Sequence, residues 1–427
     1  MTKLKVLLII EQCNPEWPSV PLVGYSFYKH ISLLVDTTLV THERNKSALE
    51  KAHPERDIVY ISESKFITKY YNIAEKLSKI NGKIIWPLYN ALTYPIYAEF
   101  NHKVYLKFNT LILNGQYDIV HALTPILPRY PVKAIKSCKK TPFILGPVNG
   151  GVPFPKGFQA VARQEFSYFN FLRLIGRYII PGYRETYEKA NYILSGSTYT
   201  MNLIKSLFDI KDENIELFYE NGIDDSFLKN ETKVSKIDES KNTKINLLFV
   251  GRLVPYKGAD ILIEAISKME QSIQDKIELT IVGDGPERNT LQNQVNTMYL
   301  DKKVHFTGWV EQQKTVSYYR NSDLFCFPSV REFGGAVVLE AMANGLPCIV
   351  INNGGIAEYV TQETGYKIDP VSRNFVVNEL KECITNLVQN DALRYDMSMK
   401  AIMRAKEFSW TAKASAIKNI YDILLEH

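Results

Sequence analysis

A chain of 427 residues allows two to four domains at roughly 100–200 residues each, and 45% hydrophobic with 23% charged residues excludes a disordered or fibrous protein. The net charge of +5 is too small to mark a nucleic-acid-binding protein, and no apolar run reaches the ~20 residues of a membrane-spanning helix. Five scattered cysteines, with no CxxC pair and no HExxH motif, predict reduced thiols in a cytoplasmic protein without a metal centre.

The first element is a strand over Lys5–Ile10. Its apolar run stops at Glu11 with no small-residue cleavage site behind it, which separates it from a signal peptide. Residues Lys65–Leu113 are rich in Tyr, Phe, Ile and Lys. Ile73, Leu77, Ile80 and Ile84 recur at helical spacing beside Lys76, Lys79 and Lys83, and Trp86, Tyr89, Tyr94 and Tyr97 follow. Two readings stand open: an amphipathic helix packed on its own domain, or a surface segment lying on an anionic membrane. Apolar β-branched runs then predict strands at Ile119–Ala122, Phe143–Gly146, Tyr192–Ser195 and Ile215–Tyr219. The second half adds Ile245–Val250, Ile277–Val282, Val304–Thr307, Leu324–Phe327 and Cys348–Ile351. Continuous Val/Ile/Leu/Phe runs suit strands buried on both faces, and their alternation with helical stretches predicts βαβ units. Asp224–Lys244 breaks the rhythm with charged residues and no sustained apolar period, so it is expected to link two doubly wound α/β domains, 1–224 and 225 onward, across a cleft. Ligands of such sheets lie beyond the strands' carboxyl ends.

Chemistry-bearing residues concentrate after those strands. Pro328–Asn353 reads PSVREFGGAVVLEAMANGLPCIVINN. Glu332 and Glu340 bracket Gly334 and Gly335, whose bare backbone precedes the helical run Ala336–Ala343. A helix start directs free N–H groups outward and suits hydroxyls or phosphates; Glu340, near the same helical face, suits a vicinal diol such as a ribose. Taken alone, the pair of glutamates favours a buried strand–helix junction capped by Glu332. Phe249–Gly258, FVGRLVPYKG, places Arg252 and Lys257 at a strand's end, where the pair suits a diphosphate; alone they are two solvated cations. VGDGP at Val282–Pro286 matches neither a dinucleotide fingerprint nor a Walker loop. FTGWV follows at Phe306–Val310.

In this order and spacing the segments resemble the family-4 retaining glycosyltransferases of the GT-B fold, most strongly over Ile245–Asn353. The resemblance implies two Rossmann-like parallel-sheet domains, 1–224 and 225–407. Residues 408–427, with FSWTAKASAIKNIYDILL, would be a helix crossing back to the first domain. It also implies that Glu332 and Glu340 are the family's E-x7-E pair, and that Arg252 and Lys257 hold the donor diphosphate beside Gly334 and Gly335. Val310 would meet the nucleotide base through its backbone. In the first half, His121 of DIVHALTP would approach the donor sugar. Gly24 of PLVGYS would stand in the loop that admits the leaving phosphate, although Val23 replaces one of the family's paired glycines. GPVNGGVPFP, Gly146–Pro155, either lines the acceptor side or is a plain surface loop. ENGID at Glu220–Asp224 matches the turn before the linker. No metal is expected: Asp224 and Asp225 are adjacent and do not form D-x-D. The implied co-substrates are a nucleotide diphosphate sugar and a carbohydrate or lipid-linked acceptor. Two alternatives are a nucleotide-sugar epimerase of the same fold and a catalytically silent scaffold subunit. The expected location is the cytoplasm, with contact to the inner face of the plasma membrane on the membrane reading of 65–113.

Overall fold

The computed structural model describes residues 3–56, 58–80, 83–123, 130–224, 227–228 and 244–426. Most of the expected linker, Asp225 included, and residues Thr124–Arg129 lie outside the described residues. The chain divides into two compact units.

The first unit comprises Met1–Gly151, Phe166–Glu220 and Trp410–His427. Its strands are β1 (Lys5–Ile9), β2 (Asp36–His42) and β3 (Ile58–Ile61), a short pair β4 (Lys79–Ile80) and β5 (Lys83–Ile84), then β6 (Ile119–Ala122), β7 (Phe143–Val148), β8 (Tyr192–Ser195) and β9 (Ile215–Leu217). The seven-stranded sheet runs β3-β2-β1-β6-β7-β8-β9 with parallel neighbours, while β4 and β5 pair antiparallel apart from it. Strand order reverses between β1 and β6, the switch point of a doubly wound fold. Both sheet faces are covered. Leu7, Val120, Phe143 and Ile193 pack with the helix Tyr94–Leu113 on one side. Leu8, Ile119, Ile144 and Leu194 pack on the other with the helices Val20–Leu34 and Trp410–Glu426. The last helix supplies Trp410, Ala414, Ile417 and Tyr421 to that core. Among its buried residues is Lys413, whose ammonium donates to the Tyr219 carbonyl among the rings of Phe27, Phe218 and Trp410. Burial pulls this ammonium down to about 7.

The second unit comprises Val152–Glu165 and Asn221–Ser409. Its strands are β10 (Ile245–Val250), β11 (Ile277–Val282), β12 (Val304–Gly308), β13 (Leu324–Phe327), β14 (Cys348–Ile351) and β15 (Gly365–Ile368). They run β12-β11-β10-β13-β14-β15, all parallel, with the switch between β10 and β13. The loops after these two strands therefore meet at the place where such sheets bind ligands.

Two corrections follow. The helical period expected over Ile73–Ile84 ends early: the helix covers Lys65–Leu77, and Ile80 and Ile84 fall on β4 and β5. The antiparallel pairing of Lys79–Ile80 with Lys83–Ile84 takes the last two of the four isoleucine and leucine positions out of the helix. Residues Val152–Glu165, expected in the first domain, group instead with the second unit. Arg331 Nε donates to the Val152 carbonyl at 2.8 Å and Asn353 Nδ2 to that of Pro153 at 3.2 Å. The Arg331 guanidinium also lies between the rings of Phe154 and Phe333, at 4.8 and 5.1 Å. Such long-range pairing has no local sequence signal. Among the described residues no helix is long and apolar enough to cross a membrane.

Candidate functional site

The second unit assembles the site at its switch point. After β10 the chain runs through Gly251 and Arg252 into a single 3-10 turn, Pro255–Lys257, and then the helix Ala259–Ser267. Gly258 joins the two with φ 73°, and a Cβ there would stand 2.3 Å from the Pro328 carbonyl oxygen. Only glycine lets the β10 loop press against the loop that follows β13. That closeness brings Lys257 to Glu332, and the two form a salt bridge, each side chain about one-seventh exposed (14% and 15%). The ammonium also lies 4.9 Å from the centroid of Phe327 and 5.4 Å from that of Tyr256. Ser329 Oγ donates to the same Glu332 oxygen at 3.4 Å.

Glu332 packs its Cγ against the start of the helix Ala336–Ala343. Gly335 caps this helix at φ 57°, where an added Cβ would fall 2.3 Å from Ile356 Cγ2. Gly334 is buried beside it. The helix start thus lies beside a cation–carboxylate pair, with its first N–H groups facing away from the helix. Arg252 is exposed and forms no ion pair among the described residues. The loop therefore carries one uncommitted cation and one cation held by a carboxylate, next to a helix N-terminus. An anion such as a diphosphate satisfies all three.

Glu340 departs from the expectation of an open diol acceptor. It is buried, and its oxygens accept from Gln312 Nε2 and Tyr319 Oη, both at 2.8 Å. Burial pushes its carboxyl above the usual carboxylate range, and the two hydrogen bonds oppose that rise. A carboxylate offers about four acceptor directions, so two remain, but from a side chain folded into the unit. Glu332 and Glu340 share no partner. Val310 is half-buried in the turn between β12 and the helix Gln312–Arg320, and its main-chain groups take no hydrogen bond among the described residues. The backbone expected to meet a base is thus unengaged. Tyr256 and Gln312 belong to the site without having been given a role: Tyr256 stands inside FVGRLVPYKG directly before Lys257, and Gln312, which falls in no motif, opens the helix Gln312–Arg320.

The two expected site residues of the first unit are corrected. His121 lies on β6 against Leu8 of β1, in the middle of the sheet, and is fully buried. Its Nε2–H donates to the Gly146 carbonyl at 2.8 Å, and Tyr421 Oη donates to Nδ1 at 2.7 Å. Neither nitrogen is left for a donor sugar, so the residue acts here as a neutral structural link to the last helix. Burial holds this imidazole down to about 4, against an ordinary 6.5. Between those values the unfolded chain binds a proton that the folded chain refuses. Stability is therefore full above about pH 6.5 and is lost as pH falls towards about 4, by about 3 kcal/mol for this residue. Urea midpoints followed across that window are expected to fall on acidification in the wild type, and less steeply in His121→Leu. Gly24 does not sit in a loop. It lies inside the helix Val20–Leu34, where a Cβ would meet the Gln12 carbonyl oxygen at 2.3 Å and Ile10 Cγ2 at 2.8 Å. Its missing side chain permits helix–strand packing, which explains why a single glycine suffices there.

Residues 230–404 match the family described as glycosyl transferases group 1. The matched stretch makes up most of the second unit. An uncharacterized glycosyltransferase of Methanocaldococcus jannaschii, MJ1069, is 28% identical over 65% of this chain and 68% of its own length. A D-inositol 3-phosphate glycosyltransferase of Corynebacterium efficiens is 31% identical over 40% of this chain, but the match spans only 41% of that enzyme. Among solved structures, Anabaena Alr3699/HepE in complex with UDP superimposes over 98% of this chain and 100% of its own, with a TM-score of 0.63 and 15% identity. At that identity the likeness shows the fold, two Rossmann-like units of the GT-B type, and nothing of the substrate.

Proposed function

We propose that this chain is a retaining glycosyltransferase of family 4 that moves a hexose from a nucleoside diphosphate sugar to a hydroxyl acceptor. The observation that carries the reading is the meeting of Arg252, Lys257 and Glu332 at the N-terminus of the helix Ala336–Ala343. In the reaction the bond from the anomeric carbon to the phosphate oxygen breaks, and a bond to the acceptor oxygen forms on the same face of the sugar. The acceptor proton passes to the departing phosphate oxygen. Negative charge grows on that phosphate as the bond lengthens. Arg252, Lys257 and the free N–H groups after Gly335 stabilise it without a metal. Lys257 then exchanges Glu332 for the diphosphate, and the released carboxylate accepts hydrogen bonds from the sugar hydroxyls. The unengaged backbone at Val310 faces the base, and Glu340 holds the ribose through its remaining acceptor positions. The Anabaena structures hold UDP and UDP-glucose, ligands of the nucleoside diphosphate sugar class proposed here. Five free thiols support work in a reducing compartment, the cytoplasm. The acceptor class we favour is a growing surface polysaccharide or glycolipid.

A second reading, a nucleotide-sugar binder that transfers nothing, is favoured by the sealed state of His121. One experiment separates the two. A panel of nucleotide sugars is scored by thermal shift, and the best donor is then incubated with candidate acceptors with and without EDTA. The transferase reading expects one donor to raise the melting temperature by mass action, and glycosylated product with the anomeric configuration retained and undiminished by EDTA. Donor binding with no product on any acceptor would favour the silent binder. Strong loss of activity with EDTA would contradict the metal-free stabilisation.

A further inference from the structure

We propose that the first unit docks on an anionic lipid bilayer through the surface formed by the helices Lys65–Leu77, Trp86–Leu92 and Phe171–Ile179. The proposal does not rest on the catalytic reading. In the first of these helices, residues three and four apart share a face. Ile67, Ala74 and Ser78 point inward and are buried. The adjoining stripe, Phe66, Ile73 and Leu77, is apolar and yet 73%, 54% and 62% exposed. One step further round lie Lys65, Lys69 and Lys76, all exposed and none in an ion pair among the described residues. The helix's one acid, Glu75, is taken by Lys79 at 2.6 Å. Packed core, bare apolar stripe and free cations therefore stand side by side.

A bare apolar stripe recurs on a second element. In Phe171–Ile179, Phe171, Ile175 and Ile179 recur at four-residue spacing and are all exposed, with Tyr178 almost wholly so. The sequence of this helix, FLRLIGRYI, contains two arginines and no acid. The helix Trp86–Leu92, with Trp86 half exposed, touches both of the others and joins them. Scattered exposed leucines need no explanation, but contiguous aromatic and aliphatic exposure across three touching helices does.

Charge decides the occupant. A twofold dimer through this face would set the same unpaired lysines against each other. A bilayer with anionic headgroups accepts the apolar stripe at its acyl boundary and the lysines among its phosphates. Each lysine near such a surface strengthens binding about fivefold, so three contribute on the order of a hundredfold.

The test is flotation of the full chain with phosphatidylcholine vesicles, with and without phosphatidylglycerol, at low and high salt. The wild type is expected to float with the anionic vesicles at low salt and to lose most, but not all, of that partitioning at high salt. The combined Lys65→Gln, Lys69→Gln and Lys76→Gln variant is expected to lose about a hundredfold in partitioning. Ile175→Ser with Ile179→Ser is expected to lose binding that salt does not affect. Both variants change exposed side chains, and an unaltered melting temperature with an intact nucleotide-sugar shift will show that they fold. Failure of the wild type to float with anionic vesicles, or equal flotation of the triple-glutamine variant, overturns the proposal. So does a wild-type dimer in sedimentation velocity that Ile175→Ser with Ile179→Ser dissociates, which would assign the surface to a second copy.

Discussion

Replacing Lys257 by alanine is expected to lower turnover ten- to hundredfold while leaving the fold in place. A hydrogen bond to a charged group contributes about 1.5–3 kcal/mol, and about 1.4 kcal/mol is tenfold in rate. The effect falls on the rate because charge on the leaving phosphate is largest in the transition state. In the free protein Lys257 is held by Glu332 and flanked by Tyr256 and Phe327. Its loss leaves Glu332 with the Ser329 hydroxyl and partial access to water, so the melting temperature should change little. Lys257→Arg keeps the charge and should recover part of the rate. Arg252→Ala removes an exposed side chain without an ion pair, and should lower turnover with no change in melting. Adding Glu332→Gln to Lys257→Ala should give a joint loss smaller than the sum of the separate losses, since the pair acts as a unit. An unchanged rate in Lys257→Ala would remove the residue from the mechanism.

The second large effect is on stability. His121→Ala is expected to lower the unfolding free energy of the first unit by about 3–5 kcal/mol, and Tyr421→Phe by about 1–3 kcal/mol. Alanine strands the Gly146 carbonyl and the Tyr421 hydroxyl and opens a cavity between two well-packed layers. Phenylalanine strands only Nδ1. Because the Tyr421 bond spans 300 residues, both changes loosen the last helix from the sheet. Urea unfolding followed by the fluorescence of Trp410, which packs on that sheet, reads the loss directly. Turnover per folded molecule should be preserved in Tyr421→Phe. A tenfold loss of turnover in that variant, with its fold intact, would return His121 to the reacting centre.

These two residues also mark what the sequence could and could not tell. Buried central strands such as Ile245–Val250 and Leu324–Phe327 are legible because both faces meet helices, so every position is apolar except Asn246 near the start of the first. Strands β2, β3 and β15 escaped. β2 opens on Asp36, Thr37 and Thr38, while β3 and β15 are four-residue edge strands with half-exposed positions. The site loops of the second unit were legible because glycine, cation and carboxylate lie close together in sequence at strand ends. What the sequence could not carry is orientation. A histidine at a strand's end reads alike whether it faces a ligand or, as His121 does, a tyrosine from the far end of the chain. Glu340 lies within the expected motif, but its direction is set by Gln312 and Tyr319 on another helix. Gly24 reads as a loop glycine only until the helix around it is seen. The free apolar stripe on Phe171–Ile179 likewise emerges only once its neighbours in space are known.

The most direct measurement is a crystal of the full chain soaked with the nucleotide sugar that stabilises it best. The account places the diphosphate against Arg252 and Lys257 at the start of the helix Ala336–Ala343, with Glu332 swung from the lysine to the sugar hydroxyls. Density for the ligand elsewhere, with the Lys257–Glu332 pair still closed, would contradict it.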